Sequence, residues 1–342
     1  MLTGFVQRSG DQLVLAGEPY RITGGNLYYL AYAPDSVLQK GLDLAQSFGM
    51  SSLRIWAFLD ALKPPAPGDR SFQYWDPVAQ APALNDGPNG LERLDHAIAQ
   101  AGQRDIRLIL TLTNNWTDFG GMPRYVEWFG MDPGKDKNRF YTDARCKQAY
   151  RHYVEQIVTR RNTVTGRLYR DEPAILAWEL ANEPRCENNG GVETLFKWVE
   201  EMSGLVRSLD ANHLVAAGDE GIPELLGIDG IDFGTTHLYP QILAKDQDPG
   251  QFGLRWIRNH LDAGRKAGKP VLLEEYGVVA DKAQRDAIFD GWLTSVEDQG
   301  GAGHMLWMIG LPKSDDQWYA PDEYVVGDPA DAPSIRAHCL RK

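Results

Sequence analysis

Short apolar runs alternate with longer stretches of helical periodicity from residue 20 to residue 310. The short runs are YRITGGN (20–26), SSLRIWAF (51–58), IRLILTLT (106–113), ILAWELANE (175–183), HLVAAGDE (213–220), IDFGTTHLY (231–239), PVLLEEYG (270–277) and GHMLWMIG (303–310). Their length and their Gly, Pro, Asn and Asp boundaries predict strands. Between them, apolar residues recur at helical spacing over 36–48, 91–101, 145–161, 192–209, 252–267 and 284–299. A last helix is predicted over 332–340. The connection after the fifth strand is short, around 223–226. Alternation on both sides of Ser9-Gly10-Asp11 predicts a hairpin over 5–16.

Strands alternating in this way with helices predict a (β/α)8 TIM barrel with an N-terminal β-hairpin. The chain is expected to form one catalytic domain over 1–342. A doubly wound open sheet is the alternative, but no GxGxxG follows the first strand. The longest loops, 59–89 and 114–142, both follow strands. In a barrel such loops build the mouth of the active site. The first, containing PPAPGD and PALNDGPNG, reads as irregular surface structure and is long enough to wall off one end of a cleft.

Charge narrows the possible partners. Acidic residues outnumber basic ones 47 to 35 and no basic cluster stands out, so nucleic acid is not an expected partner. No apolar stretch is long enough to span a membrane, so none is expected as a partner either. The start, MLTGFVQRSG, does not have the form of a secretory leader. The chain is expected either to act in the cytoplasm or to have had a leader removed. Cys146, Cys186 and Cys339 lie far apart, without the pairing of a structural zinc site.

The chemistry gathers where the strands end. Asn26, Arg54, Asn114 with Asn115, Asn182 with Glu183, Glu220, His237 with Tyr239, Glu275 and Trp307 terminate the eight runs in order. In a barrel these ends converge. Glu183 and Glu275 would face each other across the mouth at roughly 5 to 5.5 Å, the separation of a retaining glycosidase pair. One would protonate the leaving oxygen and the other attack the sugar carbon. Arg54 and the Tyr239 hydroxyl would hold the ionised one, and Asn182 would bind a sugar hydroxyl. Trp56, Trp116, Trp128, Trp307 and Trp318 stand at loop starts and divide between core packing and sugar platforms.

WELANEP (178–184), HLYP (237–240), EEYG (274–277) and the strand-eight tryptophan resemble glycoside hydrolase family 5. LRIWAF (53–58), NNWTDFGG (114–121), WELANEPRC (178–186) and GDEG (218–221) resemble its β-1,4-mannanase branch. The resemblance implies Glu183 as acid/base and Glu275 as nucleophile. It implies Asn182 as a contact to the sugar 2-hydroxyl, with Arg54, His237 and Tyr239 around the nucleophile. It further implies Trp307 as the platform under the reacting sugar, and Trp116, Arg185 and Glu220 as cleft residues. The implied activity is endo-cleavage of mannan or manno-oligosaccharides with retention and no cofactor. In many secreted relatives the cysteine after NEPR pairs with a nearby one; Cys186 has no such neighbour.

Other readings remain open. An exo-acting β-mannosidase, another β-glucan-type hydrolase and a catalytically silent glycan-binding protein share this scaffold. Glu179 reads as a buried, satisfied carboxylate, and Asn26 as support for Arg54. Alternation puts Glu275 rather than Glu274 on the working face. A metal site on His237 and His304 lacks a spaced third ligand, so no metal is expected.

Overall fold

The computed structural model describes residues 2–314, 317–318 and 322–341; the side chains of 312–314 and 317–318, Trp318 included, lie outside that description. Eight strands form the central sheet: Ile22–Asn26 (β1), Ser52–Trp56 (β2), Arg107–Thr111 (β3), Ile175–Glu179 (β4), Leu214–Ala216 (β5), Gly234–Leu238 (β6), Val271–Tyr276 (β7) and Gly303–Leu306 (β8). Their spatial order is β5-β4-β3-β2-β1-β8-β7-β6, and every neighbouring pair is parallel. The ring is drawn shut between β5 and β6. There the Asp232 N–H donates to the Val215 carbonyl at 2.8 Å and the Val215 N–H to the Asp232 carboxylate at 2.7 Å. This is the expected (β/α)8 barrel.

Alternation along each strand divides two cores. On β3, Leu108 and Leu110 belong to the large core under the helices, while Ile109 belongs to a second core with Ile22, Leu176, Leu214 and Leu272. Successive side chains of a strand point to opposite faces, so this inner set fills the barrel. Val6 and Leu13 join it from the N-terminal hairpin, Val6–Ser9 with Gln12–Leu15, and plug the end opposite the active-site mouth. A short strand, Glu18–Pro19, extends the hairpin to three strands.

Seven helices lie close to their expected places, Asp35–Phe48 (α1), Leu91–Gln103 (α2), Ala144–Val158 (α4), Gly191–Leu209 (α5), Pro249–Ala267 (α7), Lys282–Asp298 (α8) and Pro333–Leu340 (α9), and two short ones, Gly121–Trp128 (α3) and Pro240–Leu243 (α6), were not expected. On α1, Leu38, Leu42, Ala45 and Phe48 are buried, and Gly49 ends the helix in the left-handed region at φ 79°. The link after β5 is a 3-10 turn, Pro223–Gly227.

The long loops depart from expectation. Residues 59–89 are not irregular: Asp60–Ala61, Gln73–Asp76 and Ala81–Leu84 form a small sheet. Buried Asp60 ties it to the next loop, since its carboxylate accepts from Gln73 Nε2 at 2.8 Å and from the Gly121 N–H at 3.0 Å. Burial pushes Asp60 up to about 7, against the pull of those two donors. Residues 114–142 contain α3 and the 3-10 segment Lys137–Tyr141. Trp128 is a core residue, 6% exposed, and Trp56, 3% exposed, packs in the core and also reaches the cleft at the barrel mouth. The three cysteines are buried and unpaired.

Candidate active site

Backbone geometry first brings the strand ends together. The Glu183 N–H donates to the Gly218 carbonyl at 2.8 Å. A Cβ at Gly218 would fall 1.9 Å from the Ala181 carbonyl oxygen, so the GDEG segment passes only as glycine. Glu183 itself has φ 48°, an uncommon value for a residue with a side chain.

Arg54, fully buried in the middle of β2, organises the floor. Its Nε reaches both Glu179 oxygens at 3.0 Å and its Nη2 reaches Glu179 Oε1 at 2.6 Å. Nη1 donates to Glu275 Oε1 at 2.5 Å and to Asn26 Oδ1 at 3.1 Å, and Nη2 also donates to Asn182 Oδ1 at 2.8 Å. One guanidinium thus fixes four groups from three strands, the fork geometry a lysine cannot supply. Burial pushes Glu179 up to about 8, against the lowering effect of Arg54 and with the help of the Glu274 charge. Thr111 completes the Glu179 contacts at 2.8 Å.

Glu275 is 3% exposed. Besides Arg54, it accepts from the Tyr239 hydroxyl at 2.6 Å. Both partners are donors, an arrangement that suits an ionised carboxylate. Burial raises Glu275, opposed by His237 and Arg54. Glu274 points elsewhere: one oxygen lies 3.2 Å from His237 Nε2, and the other has no hydrogen-bond partner.

Glu183 sits across the mouth. Its Oε1 is 2.8 Å from His237 Nδ1, and its Oε2 accepts from Trp116 Nε1 at 2.6 Å. Burial raises its pKa, but the His237 hydrogen bond and charge win and hold it down at about 2. His237 is raised well above the ordinary imidazole value because its carboxylate neighbours, Glu275 foremost, outweigh its own burial. In this state the proton of the Glu183–His237 pair therefore sits on the imidazole. His237 Nδ1 is also 3.5 Å from Glu275 Oε2.

One oxygen of Glu183, one of Glu275 and a His237 nitrogen all lie within 4.8 Å of one another. These three are the groups among the described residues that could ligate a metal together. His304 is elsewhere, with Nδ1 3.2 Å from the Tyr276 hydroxyl. The carboxylate spacing suits double displacement, in which the attacking carboxylate and the acid straddle one bond.

The cleft above has a volume of about 570 Å³. Asn182, Arg185, Glu220, His237, Tyr239 and Trp307 line it with the two glutamates and Trp116. Arg54 and Asn26 lie beneath it rather than in its wall. Trp116 is 40% exposed, with the Arg185 guanidinium 5.1 Å and the Lys137 ammonium 5.3 Å from its ring centroid. Arg185 is paired with Glu220 through two short hydrogen bonds. Trp307 stacks on Tyr28 at 5.6 Å with planes 14° apart. The sequence reading missed Tyr28, Asp118, Phe119, Ile242, Asp322 and Tyr324 in the wall. Tyr28 and Phe119 follow strand-end residues that were singled out; Asp322 carries no such signal.

A carboxylate pair at this spacing on the C-terminal mouth of a (β/α)8 barrel, beside an aromatic-walled groove, defines the class of retaining barrel glycosidases. Residues 3–331 match the family described as GH family 5 beta-mannosidase-like, and the chain belongs to glycoside hydrolase family 5. It is 36% identical to mannan endo-1,4-beta-mannosidase A of Podospora anserina, over 88% of this chain and 81% of that protein. It is likewise 36% identical to mannan endo-1,4-beta-mannosidase 1 of Arabidopsis thaliana, over 80% of this chain and 72% of the relative. The structure resembles the endo-1,4-beta-mannanase of Rhizomucor miehei with a TM-score of 0.88, at 34% identity and 98% coverage of both chains.

Proposed function

We propose that the chain is an endo-β-1,4-mannanase that hydrolyses mannan or manno-oligosaccharides with retention, as one catalytic unit over 1–342. The observation that carries the reading is the Glu183–Glu275 pair, within 4.8 Å and bridged by His237. The names of the relatives supply the mannosidic specificity.

In the first step Glu275 attacks the anomeric carbon, and the carbon–oxygen bond to the leaving sugar breaks. Glu183 delivers a proton to the departing oxygen. That proton comes from the Glu183–His237 pair, whose Nδ1 and Oε1 atoms lie 2.8 Å apart. As Glu275 becomes a neutral ester, His237 loses the neighbour that most favours its charge, so proton release to Glu183 and charge loss at Glu275 go together. In the second step Glu183 takes a proton from water as the water oxygen attacks the anomeric carbon on the face opposite the ester, the bond from that carbon to Glu275 breaks, and Glu275 leaves as carboxylate. Arg54 and Tyr239 hold it throughout. Trp307 supports the reacting sugar, Asn182 reads a hydroxyl next to the acid, and Trp116, Arg185 and Glu220 shape the leaving-group side.

Endo action is favoured because no residue of the 59–89 segment lines the cleft. That segment is tied back by Asp60 instead of walling off one end. The test is viscosity against reducing ends on soluble galactomannan, with cellohexaose as the competing substrate. The reading predicts an early fall in viscosity and little cleavage of cellohexaose. Mannose release from the outset at constant viscosity would point to exo action.

A further inference from the structure

Glu274 is completely buried, and the mechanism above gives it no part. An irregularity of the sheet brings it to the site. Between β6 and β7, Thr236 pairs with Leu273 but His237 pairs with Glu275, so Glu274 is an extra residue in the register. Such a step lets two successive side chains turn towards the same neighbours. Glu274 and Glu275 both reach Arg54, at 3.7 and 2.5 Å, and both reach His237, at 3.2 and 3.5 Å. Asn26 Nδ2 donates to the Glu274 carbonyl at 3.0 Å and pins the strand at this step.

The two glutamates meet different ring nitrogens. Glu275 is near Nδ1, which also faces Glu183 at 2.8 Å; Glu274 Oε2 faces Nε2. The remaining charge acting on the ring is that of Asp219, after β5. An ionised carboxylate only accepts, so a carboxylate opposite Nε2 calls for a proton on that nitrogen. The consequence lies at Nδ1. When the Nδ1 proton passes to Glu183, a ring that keeps its Nε2 proton ends as neutral imidazole. A ring without one would have to become an imidazolate anion, and the transfer would not occur. We propose that Glu274 is a positioning residue: by accepting from Nε2–H it fixes the neutral tautomer of His237, so that Nδ1 gives its proton to Glu183 and takes it back after the second step. This rests on the reading of Glu183 as the acid.

The test uses two variants of similar shape. Glu274→Met removes the acceptor opposite Nε2; Glu274→Gln keeps an acceptor and removes the charge. The chain has seven histidines, and the His237 signals in a nitrogen-15 histidine spectrum are those missing from His237→Gln. At neutral pH, Nε2 is expected to be protonated in the wild type and in Glu274→Gln, and bare in Glu274→Met with the proton kept on Nδ1. On mannohexaose, whose leaving sugar needs a proton, Glu274→Met is expected to lower kcat/KM by about 100-fold. On 2,4-dinitrophenyl β-mannobioside, whose leaving group does not, the loss is expected to stay under about tenfold. Glu274→Gln is expected to lose only severalfold, and on mannohexaose alone. Equal losses on both substrates, or an Nε2 that stays protonated in Glu274→Met, would overturn the proposal and leave Glu274 a structural partner of Arg54. If Glu274→Met does not fold, Glu274→Gln decides by the same pair of substrates, with equal losses overturning it. Wild-type failure on mannohexaose alongside cleavage of cellohexaose would overturn the mannan reading instead, and the histidine spectra would still decide the role of Glu274.

Discussion

His237 Nδ1 lies 2.8 Å from Glu183 Oε1, while its Nε2 lies 3.2 Å from Glu274. The imidazole is thus held between carboxylates on both nitrogens and is charged well above its ordinary range. Glu183, correspondingly, is held at about 2. We propose that the acid owes its proton to this pair and not to a high pKa of its own.

That dependence predicts the pH profile of a His237→Gln variant. In the wild type the alkaline limb reports loss of the proton shared by His237 and Glu183. Without the imidazole the only proton is on a carboxyl, which loses it at lower pH. The alkaline limb of kcat/KM is expected to move to lower pH, with kcat at neutral pH down by roughly 10- to 100-fold. An unchanged alkaline limb contradicts the shared-proton account.

Trp116 is more than a cleft residue, because its Nε1 donates to Glu183 at 2.6 Å. Trp116→Phe keeps a ring under Arg185 and deletes that donor, which helps to lower Glu183. We expect kcat to fall severalfold with a smaller change in KM. Trp116→Ala is expected to raise KM as well. A purely KM effect in Trp116→Phe would reduce the residue to a sugar contact.

Arg54 carries the site's stability as well as its geometry. Arg54→Met would leave Glu179, Glu274 and Glu275 buried without their cation. Breaking a buried ion pair in this way costs about 3–5 kcal/mol, a fall in Tm of about 4–7 °C for a domain of this size. Thermal unfolding of the variant measures it; a Tm within about two degrees of wild type would contradict the role.

Asp60 makes stability fall as pH rises. Its folded value, about 7, lies above the ordinary 3.8, so between those values the folded protein holds a proton that the unfolded chain has lost. Stability from this group is complete in acid and is lost progressively up to neutrality. Asp60→Asn abolishes that slope. The Tm gap between wild type and variant is expected to be widest near pH 4 and to narrow towards pH 7. A constant gap would mean that Asp60 is ionised throughout.

Much of this was legible in the sequence, for reasons that differ by residue. The barrel followed from strand and helix periods, and the convergence of Glu183, Glu275, Arg54, His237 and Tyr239 followed from their places at strand ends. The sheet within 59–89 was not legible, because its strands are only two to four residues long and its order depends on Asp60 reaching Gly121 across two loops. Asp322 was hidden in the same way: a carboxylate in a loop gains meaning only from the Trp307 indole that donates to it. The charge order of the two glutamates was also out of reach, since it depends on which of them His237 touches more closely, 2.8 Å for Glu183 and 3.5 Å for Glu275. Alternation put Glu275 rather than Glu274 on the working face, and Glu275 is the one that accepts from Arg54 and Tyr239.

The most direct test of the role split is to trap the glycosyl-enzyme. The Glu183→Ala variant is incubated with a 2,4-dinitrophenyl β-mannobioside fluorinated at C2 of the reacting sugar, whose good leaving group needs little protonation and whose fluorine slows both steps. Intact mass followed by peptide mapping then locates the sugar. The account predicts one fluoromannobiosyl adduct, on Glu275, and none in Glu275→Ala. Label on Glu274, or an adduct that persists in Glu275→Ala, would contradict it.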